Sequence, residues 1–144
     1  MKDTQTKQEV QADNELPKIT IITVTYNSGA ALKKTIESVA RQSYKNLEYI
    51  VVDGGSCDNT LDIISENKQC ISSWVSEPDT GIYNAMNKGL SYASGELIYF
   101  LNADDYFYNE HIVSDIADLY KRRTLFTDKC PNVLRAQKKT NTWG

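Results

Sequence analysis

The sequence predicts an open α/β fold built on a mainly parallel sheet. Two observations predict it. Short, β-branched and almost continuous apolar runs recur four times, the pattern of strands buried on both faces. Each run is followed by a stretch whose apolar residues fall at helical spacing, so strand and helix alternate along the chain.

The first strand is Ile19 to Thr25, and residues 30 to 41 follow with Leu32, Ile36, Val39 and Ala40 on one helical face. Leu47 to Val52 is the second strand. Asp58-Asn59-Thr60 then opens a helix carrying Leu61, Ile63 and Ile64, with Asp58 as its N-cap. Ile71 to Val75 is the third strand, before a helix over 82–93 that contains an unfavourable interior glycine, Gly89. Leu97 to Leu101 is the fourth strand. A last helix over 109–121 places Ile112, Val113, Ile116, Leu119 and Tyr120 on one side. Beyond residue 122 no element is predicted. The expected organisation is a disordered leader at 1–16, one domain at 17–122 and an irregular tail at 123–144.

Composition fits this class. The chain is 40% hydrophobic and 24% charged, and its 144 residues suffice for one core. A net charge of -3 argues against a nucleic-acid partner, which needs a basic excess. From His111 onward there are seven Lys or Arg against three Asp or Glu, and before it nine against sixteen. That basic end is read first as a solvated terminus and second as a peripheral contact for an anionic membrane surface. Cys57, Cys70 and Cys130 form no CxxC pair and there is one histidine, which argues against zinc and suits a reducing cytoplasm. The polar N-terminus has no signal-peptide pattern, and no apolar run is long enough to span a membrane.

In open α/β sheets, ligands bind outside the carboxyl ends of the strands, so the four strand exits are where function is sought. The first exit is Thr25-Tyr26-Asn27-Ser28-Gly29, where Tyr26 can stack on a base and Asn27 can cap the next helix. The second begins at Asp53-Gly54-Gly55. A carboxylate there can accept from a base N–H or a ribose hydroxyl, and glycines allow close backbone approach. These glycines match neither the dinucleotide fingerprint nor the P-loop. The third exit, Asp79-Thr80-Gly81, precedes a helix whose free amides suit a phosphate, with Asn84, Asn87 and Lys88 close together on it. The fourth is Asn102-Ala103-Asp104-Asp105, where adjacent carboxylates repel unless a partner such as a hard divalent cation neutralises them. Each segment taken alone also has a plain structural reading as a turn or helix cap.

In this order the segments resemble family 2 glycosyltransferases of the GT-A fold. PKITIITVTYNSGAALKKTIESVARQSYKNLEYIVVDGGSCDNT resembles the opening of that family, and SEPDTGIYNAMNKGLSYASGELIYFLNADDYF resembles its DxG segment and metal motif. The likeness covers residues 17 to 120 and is nearest to bacterial enzymes of surface-polysaccharide or lipopolysaccharide synthesis. It implies a nucleotide-diphosphate sugar donor, commonly a UDP-sugar, a saccharide or lipid-linked acceptor, inversion at the anomeric centre, and Mn²⁺ or Mg²⁺. The donor site it implies comprises Thr25, Tyr26, Asn27, Asp53, Gly54, Asp79, Gly81, Asn84, Lys88, Asn102, Ala103 and Asp104, with the ion on Asp104 or Asp105. It also implies a cytoplasmic protein at the inner face of the plasma membrane.

The chain departs from the family in two places. Asn102 stands where many members have Asp. The family's general base lies downstream of the metal motif, and Asp115, Asp118 and Asp128 match no base motif, so the catalytic base is not found and the C-terminal part of the fold is expected to be missing. The rival expectation is therefore a truncated, non-catalytic nucleotide-sugar-binding module. A nucleotidyltransferase is disfavoured because Tyr26-Asn27-Ser28-Gly29 is neither glycine-rich nor basic. All of this requires Asp53, Asp79 and Asp104 to lie at one rim of the sheet.

Overall fold

A computed structural model describes residues 16–122 and 133–135. The elements run β1 (Ile19–Thr25), α1 (Gly29–Ala40), β2 (Leu47–Asp53), α2 (Thr60–Glu66), a 3₁₀ turn (Lys68–Cys70), β3 (Ser73–Ser76), α3 (Ile82–Tyr92), β4 (Leu97–Phe100), α4 (Ile112–Lys121) and β5 (Val133–Arg135). The strand order is β3-β2-β1-β4-β5. The first four strands are parallel, and β5 is antiparallel to β4. The leader to residue 15 and the tail, Asp128 included, lie outside the described residues. The exception is β5, which corrects the expectation of an irregular tail at those three positions.

Every residue of β1 is buried, as a largely apolar, β-branched run at the centre of a parallel sheet should be. Alternation along the strands sends Ile19, Ile21, Tyr49, Val51 and Leu97 to one face, with Leu32, Ile36 and Val39 of α1, Ile63 and Ile64 of α2, and Val113 and Ile116 of α4. Ile22, Val24, Ile50, Val52 and Ile98 point to the other face, under Ala85, Met86 and Leu90 of α3. Each fully buried isoleucine contributes about 1.5–3 kcal/mol. Inside the first layer, Tyr49 Oη is 2.9 Å from Thr23 Oγ1, and burial pushes this phenol above its ordinary pKa.

Gly89, the residue that weakened the helix expectation, has a packing reason. A Cβ there would stand 2.6 Å from Ile22 Cγ2 and 3.4 Å from Val52 Cγ2, so its absence lets α3 lie directly on the sheet. Two elements start two or more residues later than predicted, and one core position differs. Strand β3 begins two residues later than expected, because the Ile71 amide still closes the 3₁₀ turn on Lys68 O. Helix α4 begins at Ile112 because the Asn109 side chain accepts the His111 amide at 2.7 Å and holds that segment as a turn. Ala40, expected on the core face of α1, is exposed.

The rim at the amino ends of the strands is clamped by one carboxylate. Glu48 Oε1 accepts the Thr20 hydroxyl at 2.7 Å and the Ser94 amide at 2.9 Å. The Gly95 amide donates to Thr20 Oγ1 at 2.9 Å. Partial burial would raise the Glu48 pKa, but the Ser94 amide, the Thr20 hydroxyl and Lys18 together hold it below the usual glutamate value. No helix among the described residues is long and apolar enough to cross a membrane.

Candidate functional site

Parallel pairing decides where the exit segments go. Because β1, β2, β3 and β4 all run the same way, the residues after Thr25, Asp53, Ser76 and Phe100 leave the sheet at one rim. Strands β2 and β4 flank β1 on opposite sides, so the chain changes direction across the sheet there, and the crevice typical of such sheets falls at the β1 exit. Asp53 ends β2, and Asp79 and Asp104 follow the ends of β3 and β4, all on that rim.

Thr25 closes β1. Its Oγ1 is buried and has no hydrogen-bond partner, the one such side-chain atom among the described residues. Buried polar atoms are nearly always paired, so an orphan hydroxyl at a strand exit marks a position that a ligand can complete. Tyr26 beside it is 58% exposed. Asn27 takes φ 49, in the left-handed region that asparagine tolerates. The expectation that it caps α1 is corrected: the cap position is Ser28, with no side-chain bond. Asn27 instead joins two exits, its Oδ1 accepting the Cys57 amide at 2.8 Å and its own amide donating to Ser56 Oγ at 2.8 Å.

Asp53 is 1% exposed and organises the second exit. Its Oδ2 accepts the Gly55 amide at 3.2 Å, the Ser56 amide at 2.9 Å and the Ser76 hydroxyl at 2.7 Å. Among the described residues its Oδ1 accepts only the Ser56 hydroxyl, at 2.5 Å, and so keeps capacity for one further donor. The neighbouring Gly54 amide donates to Thr25 O at 3.0 Å. Asp58 is not the N-cap of α2, which is Asn59. Asp58 Oδ1 accepts the Thr60 hydroxyl and the Thr60 amide, and these bonds, the hydroxyl first, hold its carboxyl below the usual range.

The third exit packs against the second. A Cβ on Gly54 would lie 2.7 Å from Asp79 Oδ2, and one on Gly55 would lie 3.3 Å from Pro78 N. Asp79 Oδ1 accepts the Gly81 amide at 3.1 Å, and Gly81 itself adopts φ 134, open only to glycine. Asn84 Oδ1 accepts the Thr80 amide at 3.2 Å. The amides of Ile82, Tyr83 and Asn84, the first turn of α3, have no partner among the described residues. Lys88, expected near a phosphate, is paired with Glu77 Oε2 at 3.0 Å and donates to Pro78 O at 3.1 Å.

At the fourth exit Asn102 is half-buried, Ala103 is buried, and Asp104 and Asp105 are exposed. The Asp105 amide donates to Asn102 O at 2.9 Å, closing a turn with the two carboxylates adjacent. No hydrogen bond links them to Asp53 or Asp79 among the described residues, and no three His, Cys, Asp or Glu side chains there gather into a metal-holding group. Asp115 and Asp118 lie exposed on α4.

Sequence reasoning missed the residues that hold these exits in place. Ser56 and Ser76 are short hydroxyls in turn-like contexts, and nothing in their spacing points to Asp53. Thr35 and Ser38 of α1 did leave a signal, since both interrupt the apolar face formed by Leu32, Ile36 and Val39.

The chain matches the Glycosyl transferase family 2 model over residues 20–138. An uncharacterized glycosyltransferase of Mycobacterium tuberculosis is 38% identical over 103 residues, 71% of this chain and 39% of that protein. The crystal structure of S. aureus TarS 1-349 in complex with UDP-GlcNAc superposes with a TM-score of 0.67 at 28% identity, covering 73% of this chain and 31% of that one. A mannosyltransferase from Pyrobaculum calidifontis in complex with GDP-Man and Mn²⁺ gives a TM-score of 0.64 at 26% identity, covering 69% of this chain and 31% of that one. The chain belongs to glycosyl transferase family 2, and its fold is of the GT-A type. It spans about two-fifths of the length of the M. tuberculosis relative.

Proposed function

We propose that this chain forms the donor-binding part of a glycosyltransferase and holds a nucleotide-diphosphate sugar, UDP-linked by preference, at the exit of β1. The observation that carries the reading is the buried, partnerless hydroxyl of Thr25 at the point where the strand order reverses. Around it, the exposed Tyr26 ring offers a face to a base, and Asp53 Oδ1 has room for one base or ribose donor. The unpaired first-turn amides of α3 and the dipole behind them suit the diphosphate. Gly81 leaves open backbone beside that position, Gly54 makes room for the Asp79 carboxylate, and Asp79 and Asn84 fix the loop that presents the amides.

Mn²⁺ or Mg²⁺ fits the donor set at the fourth exit, which is all hard oxygen. Asp104 and Asp105 would hold the ion, beside Asn102 and Ala103. With no third His, Cys, Asp or Glu gathered there among the described residues, the ion would bind together with the diphosphate. When bound, the ion neutralises charge on the departing diphosphate. Lys88 can add its charge only by leaving Glu77. In the reaction, the acceptor hydroxyl oxygen attacks the anomeric carbon with inversion, the bond to the diphosphate breaks, and the hydroxyl proton passes to a base. The proposed acceptor is a saccharide or lipid-linked sugar of the bacterial surface.

Titration calorimetry of UDP with and without Mn²⁺, with GDP as comparator, tests the reading. UDP is expected to bind at least tenfold more tightly with Mn²⁺ present, and Thr25→Val to weaken binding in both conditions. No UDP binding in either condition would sink it.

A further inference from the structure

The segment that carries Asp104 and Asp105 is fixed mainly by a helix outside the rim. Three polar side chains at and just beyond the C-terminal half of α1, Thr35, Ser38 and Gln42, stand at i, i+3 and i+7 and so share one face. Thr35 is fully buried. Its hydroxyl lies 2.7 Å from Ala103 O and 2.6 Å from Asp105 O, the carbonyls on either side of Asp104. Ser38 Oγ accepts the Phe107 amide at 3.1 Å while donating to Thr35 O at 2.8 Å. Gln42 Nε2 donates to Asn109 O at 2.7 Å, and Gln42 Oε1 accepts the Val113 amide at 3.0 Å. The backbone from residue 103 to 113 is thus hung on one helix face. The link to β1 is the single bond from the Leu101 amide to Ile22 O, before the acidic pair begins.

These bonds have a cost that packing alone does not explain. An apolar side chain at position 35 or 38 would suit the core face of α1 at least as well. The Thr35 hydroxyl, which also lies 3.2 Å from Ala31 O in its own helix, meets the carbonyls of the 103–104 and 105–106 peptides, and so fixes the peptide planes at either end of the Asp104–Asp105 pair and with them the direction of its carboxylates. We infer that Thr35, supported by Ser38 and Gln42, is a positioning residue for the cation and diphosphate subsite: it sets the height and direction of Asp104 and Asp105 at the rim. This rests on the donor-binding reading above.

The test is the full chain carrying Thr35→Val, which keeps the shape and removes the hydroxyl, against Thr35→Ser, which keeps the hydroxyl. Two readouts are needed. Hydrogen exchange without nucleotide reports the loop: the amides of Asp105 and Phe107 are expected to exchange at least tenfold faster in Thr35→Val and near the wild-type rate in Thr35→Ser. Calorimetry with UDP and Mn²⁺ reports the site. The tightening of UDP binding by Mn²⁺ is expected to fall about tenfold in Thr35→Val, to return in Thr35→Ser, and Mn²⁺-free UDP affinity to stay within about twofold. Ser38→Ala, a milder change, is expected to shift both readouts in the same direction. Unchanged exchange at 105 and 107 in Thr35→Val overturns the inference whatever the nucleotide does. Altered exchange with an unchanged Mn²⁺ effect also overturns it, leaving a purely structural tether. Wild-type protein that binds no UDP overturns the donor-binding reading first.

Discussion

The Asp79 carboxylate lies so close over Gly54 that a Cβ at position 54 would sit 2.7 Å from Asp79 Oδ2. The second and third strand exits therefore meet through a glycine and an acid. Gly54→Ala would push the carboxylate aside rather than the backbone, because the obstructing atom is the end of a side chain. The expected outcome is a stability loss below about 1 kcal/mol, with UDP affinity falling about tenfold as the Gly81 amide loses its acceptor. Chemical denaturation and calorimetry on the same variant check both halves.

Asp53→Asn would fail differently. Two of the four donors are backbone amides on Oδ2, so an asparagine oxygen can serve only that position, and its nitrogen at the Oδ1 position faces the Ser56 hydroxyl, a mismatch until that hydroxyl turns from donor to acceptor. A buried mismatch of that kind costs about 2–3 kcal/mol, and Tm should drop by roughly 5–10 °C before any ligand is added. A variant with wild-type Tm would show that the loop does not depend on the charge.

For the acidic pair, Asp104→Asn and Asp105→Asn are both exposed changes, expected to move stability by less than about 0.5 kcal/mol. At least one of them should abolish the Mn²⁺ dependence of UDP binding while leaving Mn²⁺-free binding in place. The variant that does so identifies the principal ligand. If both variants keep the full Mn²⁺ effect, the ion is held elsewhere.

Gly89→Ala sets propensity against packing. Alanine improves an interior helix position by about 1 kcal/mol. Its methyl, however, would stand 2.6 Å from Ile22 Cγ2, in a side chain with no exposed surface. The net effect should be a loss of about 1–2 kcal/mol, read from the urea midpoint. A more stable variant would show that α3 can lift from the sheet without penalty.

The Glu48 clamp predicts a pH dependence with a definite sign. Its pKa is lowered in the folded chain, so its contribution to stability is present above the ordinary glutamate value of 4.5 and is lost as pH falls through the lower, folded value. The Tm gap between wild type and Glu48→Gln should therefore be widest near neutrality and shrink once pH drops below about 4.5. A gap that stays constant to pH 3 would assign the clamp to shape rather than charge.

Much of this was legible in the residues themselves. The four parallel strands and four helices follow from periodicity, since Ile19 to Thr25 or Val113 and Ile116 can bury themselves in only one way. The rim follows as well, because parallel strands must send their exits to one side. What the sequence did not disclose is how the exits are tied together. Asn27 looks like a helix cap until its positive φ turns it toward Cys57, and Lys88 looks free until Glu77 is found beside it. Such pairings join residues far apart in the chain, where local pattern carries no information. The late start of α4 was hidden for a related reason, since one side-chain oxygen from Asn109 outweighs local helix preference.

The register of β1 has a consequence for how the protein is made. One edge of β1 pairs with β2 through all seven residues, but the other waits for β4, which begins at Leu97. During synthesis at about 5–20 residues per second, the segment from Thr25 to Leu97 takes on the order of 4–15 s to emerge. For that interval the strand that is buried along its whole length in the folded protein presents an unpaired edge to whatever lies nearby. Soluble yield should therefore respond to elongation rate between β2 and β4, and codon choice in that stretch is a lever on recovery that leaves every amino acid unchanged.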